Sequence, residues 1–350
     1  MRRTEITRAL SGSAAIFFAL LALSGCQTAP TTPVAAVDDS RLFRLGQCAL
    51  QAAEYDEAQE YFRQAIAAAP ENATYHYWLG VSQGRRANES GFFGQIVYVR
   101  QAAAALQRAA ELEPDRLEAQ EALFEFHLHG PALAGASRGE AERLARVIAE
   151  LDTSAGYRAM GQLYQASGDS AAAIEAYQQA MASRPGDGSG LLLGNLLRDL
   201  ERYDEAFAVY ESLGDAGSAS ADVRRERLAA LYQIGATALH SKQRLETGEQ
   251  ALLEYLESDA GTAQLLSEPA WAHYRLGLIY ELLDQPAQAE THFRAALDGD
   301  AGSQLEALAE RGLYELHLAQ EYGITVQQLR IFQTLCRVHA HASPTAIPCT

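Results

Sequence analysis

An apolar residue followed by glycine returns again and again in this chain, and each time a small residue and then a bulky apolar one come after it. Leu45-Gly46 precedes Ala58 and Phe62, Leu79-Gly80 precedes Ala102 and Leu106, Leu193-Gly194 precedes Ala206 and Tyr210, and Leu276-Gly277 precedes Ala289 and Phe293. The series continues at Met160-Gly161 with Ala173 and Tyr177, and at Ile234-Gly235 with Ala251 and Tyr255. A glycine on one helix lets a second helix with a small alanine cross close to it, and the larger residues fill the space between. Pro70, Pro114 and Pro185 follow the second members, where a ring that cannot continue a helix ends it. One such pair buries only part of its apolar face, so a periodic series must stack. No stretch shows sustained strand alternation between hairpin turns. These features predict an all-α fold.

The spacing resembles the tetratricopeptide (TPR) repeat, a unit of about 34 residues reading W-x2-L-G-x2-Y, A-x3-F and P. In the first copy Leu42 stands for the Trp and Ala49 for the Tyr. Residues 39–302 then hold about seven hairpins, 303–340 capping helices and 341–350 a tail. The second hairpin carries an insert that includes Gly91 to Val99: its small residues are 22 apart, against 12 in the first. The third is loosest, with helices over Leu117–His129 and Ala141–Leu151. Ser167-Gly168-Asp169 reads as a helix stop and an N-cap. The polar stretch Gly214 to Asp222 reads as a joint. The resemblance implies a solenoid wound as a right-handed superhelix, with the first helix of each hairpin lining a concave groove.

The chain opens with Arg2, Arg3 and Arg8 before an apolar run from Ala14 to Leu23, too short to span a membrane and flanked like a secretory signal. It ends Leu23-Ser24-Gly25-Cys26, which resembles the lipobox of a bacterial lipoprotein. That resemblance implies a signal peptide over 1–25, a lipidated Cys26, and, with Gln27 following, passage to the outer membrane. Residues 26–38, with Pro30 and Pro33, read as the lipidated Cys and a disordered tether. An exported location permits disulfides. Cys336 and Cys349 are a candidate pair whose bond would contribute about 3 kcal/mol by chain-entropy reasoning, and Cys48 reads as a small buried apolar residue.

A net charge of −17 excludes the clustered cations that phosphate binding needs, so nucleic acid is not expected as a partner. Residues 1–25 are net basic, and their removal leaves the remainder two charges more negative. Catalytic patterns are thin. Gly135-Ala136-Ser137-Arg138-Gly139 satisfies the G-x-S-x-G string, but a nucleophile elbow needs a preceding strand, and here the string falls between helices. His127/His129 and His339/His341 are two apart, a spacing that does not share a helix face, so no metal is expected. With Lys242 the only lysine and no Lys-Ser or Lys-Thr after a glycine-rich loop, a P-loop is excluded. Neither enzyme activity nor a cofactor is expected.

The family pattern places Tyr77, Arg85, Arg158, Gln162, Asn195, Tyr232 and Tyr274 on the groove. Tyr and Arg are common interface anchors, though each Arg can equally neutralise a nearby Glu. Phe92 and Phe93 form a second candidate surface if they protrude; otherwise they extend the hairpin and pack against the tether or the next repeat. The expected function is a non-enzymatic scaffold, anchored to the periplasmic side of the outer membrane and binding envelope proteins or their peptide segments. The alternative is a carrier of peptidoglycan or polysaccharide strands.

Overall fold

Helices begin where the sequence supplies a cap and end where it supplies a break. The computed structural model describes residues 38–214, 220–258, 269–298 and 302–342, which hold sixteen α-helices, one 3₁₀ turn and no strand. Asn72 accepts from the Thr74 N–H at 3.0 Å, Asp169 from that of Ala172 at 3.1 Å and Ser220 from that of Val223 at 3.2 Å, each opening a helix. The expected stop and cap at 167–169 is borne out, with Gly168 at φ +81. The expected signal peptide, most of the expected tether, the middle of the expected joint and the expected tail from 343 lie outside the described residues.

The chain divides into two units, residues 1–166 and 167–350. The first contains α1 (Asp39–Gln51), α2 (Tyr55–Ala68), α3 (Ala73–Asn88), α4 (Phe92–Leu112), α5 (Leu117–His129), a 3₁₀ turn (Ala132–Ala134), α6 (Arg138–Leu151) and nearly all of α7 (Thr153–Ser167). Consecutive helices pair as α1 with α2, α3 with α4 and α5 with α6, and each pair packs on the next. A continuous core runs through Tyr77, Val81, Leu106, Leu123, Leu144 and Ile148. The loosely matched third hairpin is therefore a full member of the stack.

The second unit contains α8 (Ser170–Ser183), α9 (Ser189–Asp199), α10 (Tyr203–Gly214), α11 (Ala221–Ser241), α12 (Leu245–Glu257), α13 (Pro269–Leu282), α14 (Pro286–Leu297), α15 (Gly302–Tyr322) and α16 (Val326–Ala342). It pairs α9 with α10, α11 with α12 and α13 with α14, and α15 packs on α14. Before α9 the backbone turns through left-handed Gly186 and Gly188, and the buried Glu226 of α11 accepts main-chain hydrogen bonds from Gly186, Gly188 and Gly190. Main-chain N–H groups gathered this way form an anion cradle, here filled from within. Burial, and then the charge of Asp187, push the Glu226 carboxyl up to about 7 despite those donors.

Within a hairpin the glycine sets how closely the helices cross. A Cβ on Gly46 would lie 2.6 Å from the Phe62 ring, and one on Gly80 2.7 Å from Leu106. Gly194 faces Tyr210, Gly235 faces Leu252 and Gly277 faces Phe293 in the same manner. Gly84, in the same α3 as Gly80, faces open space. Overpacking costs about 1–3 kcal/mol, whereas Gly to Ala in an open helix interior gains about 0.8–1.0 kcal/mol. Urea denaturation should therefore find Gly46→Ala destabilised and Gly84→Ala stabilised by up to about 1 kcal/mol. Equal shifts would mean that close approach is not what glycine supplies.

Glu226 gives a pH signature. It stays protonated in the fold up to about pH 7, while in the unfolded chain it ionises above its ordinary 4.5. Between those values the unfolded state binds fewer protons, so this group's share of stability falls as pH rises through the window and levels off above it, by up to about 3 kcal/mol. Glu226→Gln should lose less stability than wild type between pH 4.5 and 7.5 in matched denaturant melts. An identical loss in both would place an ionised carboxylate at this position.

Candidate functional site

In the first unit the inserted residues lengthen the second helix of the hairpin: α4 opens at Gly91 and runs 21 residues. Its C-terminal half is anchored by buried Ala102, Ala105, Leu106 and Ala109. Its first turn carries Phe92 and Phe93, 67% and 81% exposed, with ring centroids 5.5 Å apart and edge to face. Val97, one turn beyond Phe93, is also exposed. The insert thus extends the hairpin, and its aromatic pair still protrudes.

The expected groove residues separate into distinct environments. Tyr77 belongs to the core: it is 6% exposed, edge to face with Trp78 at 5.7 Å and capped by the Arg116 guanidinium at 5.4 Å. The expectation of a partner-facing Tyr77 is corrected, because its ring is buried in a core shared with α5 and lies under Arg116 at the start of that helix. Arg158 pairs with Glu121, and Gln162 donates to Glu125 at 2.6 Å, so two rungs one helical turn apart tie α7 to α5. Burial pushes the Glu121 carboxyl up, with Arg158 opposing. Arg158 therefore neutralises a neighbouring Glu, one of the two roles open to it in sequence. Arg85 lies exposed on α3.

In the second unit Asn195 accepts from the Tyr210 hydroxyl at 2.8 Å. Tyr232 is sandwiched by Arg275, whose guanidinium sits 4.1 Å from the ring centroid, and by Tyr255 at 5.5 Å. Tyr274 is half-buried between Phe293 at 5.8 Å and Trp271 at 6.1 Å, and burial raises its hydroxyl pKa. These contacts occupy the groups that the family pattern assigns to a partner. A cluster without any spacing signal joins α13, α15 and α16: Arg330 reaches buried Glu281 at 3.0 Å and buried Glu315 at 2.6 Å, and Arg311 reaches Glu315 at 2.9 Å. Burial lifts Glu281 to about 7. Burial also pushes Glu315 up, but its hydrogen bonds from Arg311 and Arg330 outweigh it and hold that carboxyl low.

Ser137 of the G-x-S-x-G string follows the 3₁₀ turn and sits at the N-cap of α6, with its main-chain N–H donating to His127 Nδ1 at 3.2 Å. That is a helix–turn–helix setting rather than a strand-to-helix elbow. No group of three metal-ligating side chains and no helix long and apolar enough to cross a membrane occurs among the described residues. Cys48 is half-buried and disulfide-bonded, which corrects its reading as a plain apolar residue. Its partner lies outside the described residues.

Stacked helical hairpins with glycine-controlled crossings define a helical-repeat fold. Models of the tetratricopeptide repeat match residues 43–85 and 158–221, and a second tetratricopeptide model matches 272–300. The chain is a tetratricopeptide repeat protein. No curated protein matches it. Similar solved structures include a thermophilic TPR protein of Thermus thermophilus, 19% identical, covering 55% of this chain and 98% of that one at a TM-score of 0.42. Another is a tetratricopeptide repeat protein of Parabacteroides merdae, 12% identical, covering 79% and 98% at a TM-score of 0.43.

Proposed function

We propose that this protein is a non-enzymatic scaffold, held at the periplasmic face of a bacterial outer membrane by a lipidated Cys26, that docks envelope proteins or their peptide segments. Tetratricopeptide repeats support the protein-binding part of this reading. The observation that carries it is the exposed Phe92–Phe93 pair on a rigid helix, since an apolar patch left in water marks contact sites. Exposed Arg85 is a further contact residue on the first-helix side. The glycan-carrier alternative relied on groove aromatics, and Tyr77, Tyr232 and Tyr274 spend their rings on packing.

Crosslinking followed by affinity capture from intact envelopes tests the patch. The double variant Phe92→Ser/Phe93→Ser should lose most of the captured protein bands while its thermal midpoint stays within about 2 °C of wild type, because removing exposed apolar groups leaves the core untouched. A collapsed midpoint would assign the pair to the core instead.

The lipid anchor has its own test. Palmitate labelling and detergent-phase partition should both disappear in Cys26→Ala. In the wild-type protein a non-reducing peptide map should find no disulfide at Cys26. A Cys26–Cys48 peptide would rule the anchor out.

A further inference from the structure

A cleft of about 510 Å³ opens beside the exposed aromatic pair, with Phe93, Val97 and Tyr98 of α4 on one wall and Asp56, Gln59 and Arg63 of α2 on the other. All six lie in the first unit, on the second helices of their hairpins rather than on the groove side. Phe93 and Val97 are 81% and 52% exposed and supply an uncovered apolar wall. On the opposite wall the charges are not equivalent. Asp56 is held by Arg86 at 3.1 Å, and the same guanidinium lies 5.4 Å over the Tyr98 ring. Exposed Arg63 has no carboxylate partner among the described residues, and its Nη2 donates to Gln59 Oε1 at 3.0 Å. Gln59 is 2% exposed, and its Nε2 has no acceptor.

A buried amide N–H without an acceptor is costly and uncommon, and a guanidinium seeks the paired oxygens of a carboxylate. The one acid of the cleft is already neutralised, so its unmet needs are a cation's and a donor's, beside an apolar surface. We propose that this cleft docks a polypeptide segment in which an apolar side chain is accompanied by a carboxylate. The side chain seats on Phe93 and Val97. Arg63, long and exposed, swings from Gln59 to the carboxylate, and Gln59 Nε2 then meets one of the incoming acceptors. This inference rests on reading Phe92 and Phe93 as a partner contact, and it adds the chemistry of the partner.

Anisotropy measurements on the full chain with fluorescein-labelled nonapeptides test it. Each peptide carries a Leu-Phe pair: one ends there in a free carboxylate, one ends there as the amide, and one is amidated with an Asp after the Phe. The better of the two charged peptides should bind about tenfold tighter than the uncharged amide, and which one wins tells a chain terminus from an acidic side chain. Arg63→Glu should erase the preference, and Phe93→Ser should weaken all three peptides, both with wild-type melting midpoints. A benzophenone in place of the Phe should crosslink within residues 56–63 or 93–101. Equal binding of charged and uncharged peptides, a preference that survives Arg63→Glu, or crosslinks elsewhere would each overturn the site. So would concentration-dependent dimerisation lost in Phe93→Ser without peptide binding, which would give the patch to a second copy of the chain. Envelope capture that fails in Phe92→Ser/Phe93→Ser but persists in Arg63→Glu would overturn the cleft and leave the scaffold standing. Capture indifferent to both, with the peptide preference intact, would overturn the aromatic envelope contact and leave the cleft.

Discussion

Five hairpins, α1–α2, α3–α4, α9–α10, α11–α12 and α13–α14, are each held by a glycine pressed against a side chain of the partner helix, and the stack is built outward from that contact. Phe293 illustrates why. It is fully buried, with Gly277 of α13 against one edge of its ring and Gly312 of α15 against another. One ring therefore closes its own hairpin and receives the following helix. Phe62 does similar work, with Gly46 against it and Trp78 and Leu79 of α3 packed on its cluster. Because such filling residues are shared with a neighbour, these hairpins do not complete their cores alone, and stability is distributed as nearest-neighbour interfaces. The same arrangement makes the crossings intolerant of added volume at the glycine while helix faces away from the crossing remain free to vary.

Charge does a second job. The chain has a single Lys, so its cations are almost all Arg, and many of them tie one helix to another: Arg86 to Asp56, Arg158 to Glu121, Arg227 to Glu254, Arg244 to Glu211. The exposed ones among them contribute about 0–1 kcal/mol each, too little to hold the stack but enough to favour one register of helix on helix. The Glu281–Arg330–Glu315 cluster differs in being desolvated. Removing its Arg would strand buried carboxylates, and losses of that kind run to about 3–5 kcal/mol. Arg63, by contrast, reaches only the amide oxygen of Gln59 among the described residues.

The fold was legible because a repeat states itself many times. Gly46, Gly194 and Gly277 each announce a close crossing, and Ala58, Ala206 and Ala289 confirm it. The groove residues were not legible to the same degree, for a physical reason. Position in a repeat places a residue on a face of its own helix, but it cannot say which distant side chain arrives there. Arg275 comes from two helices on to cover Tyr232, Tyr210 bonds to Asn195 across its hairpin, and Arg116 at the start of α5 lies over Tyr77. The disulfide at Cys48 was hidden for the same reason, since sequence alone cannot give the connectivity of four cysteines.

The insert in the second hairpin was visible as a broken interval, 22 residues where the first hairpin has 12, but its consequence is geometric. Added residues in a loop would move independently of the stack. Here they continue α4, so the position of Phe92 and Phe93 is fixed by a helix whose far half is locked by Ala102, Leu106 and Ala109. A contact presented on a rigid element loses less conformational freedom on binding than one presented on a loop. The extension also gives α2 a second wall to face, so that Gln59 and Arg63, which would otherwise be an ordinary turn of a repeat helix, become one side of a cleft. A departure from the repeat length has in this way made a surface that the repeat itself does not encode.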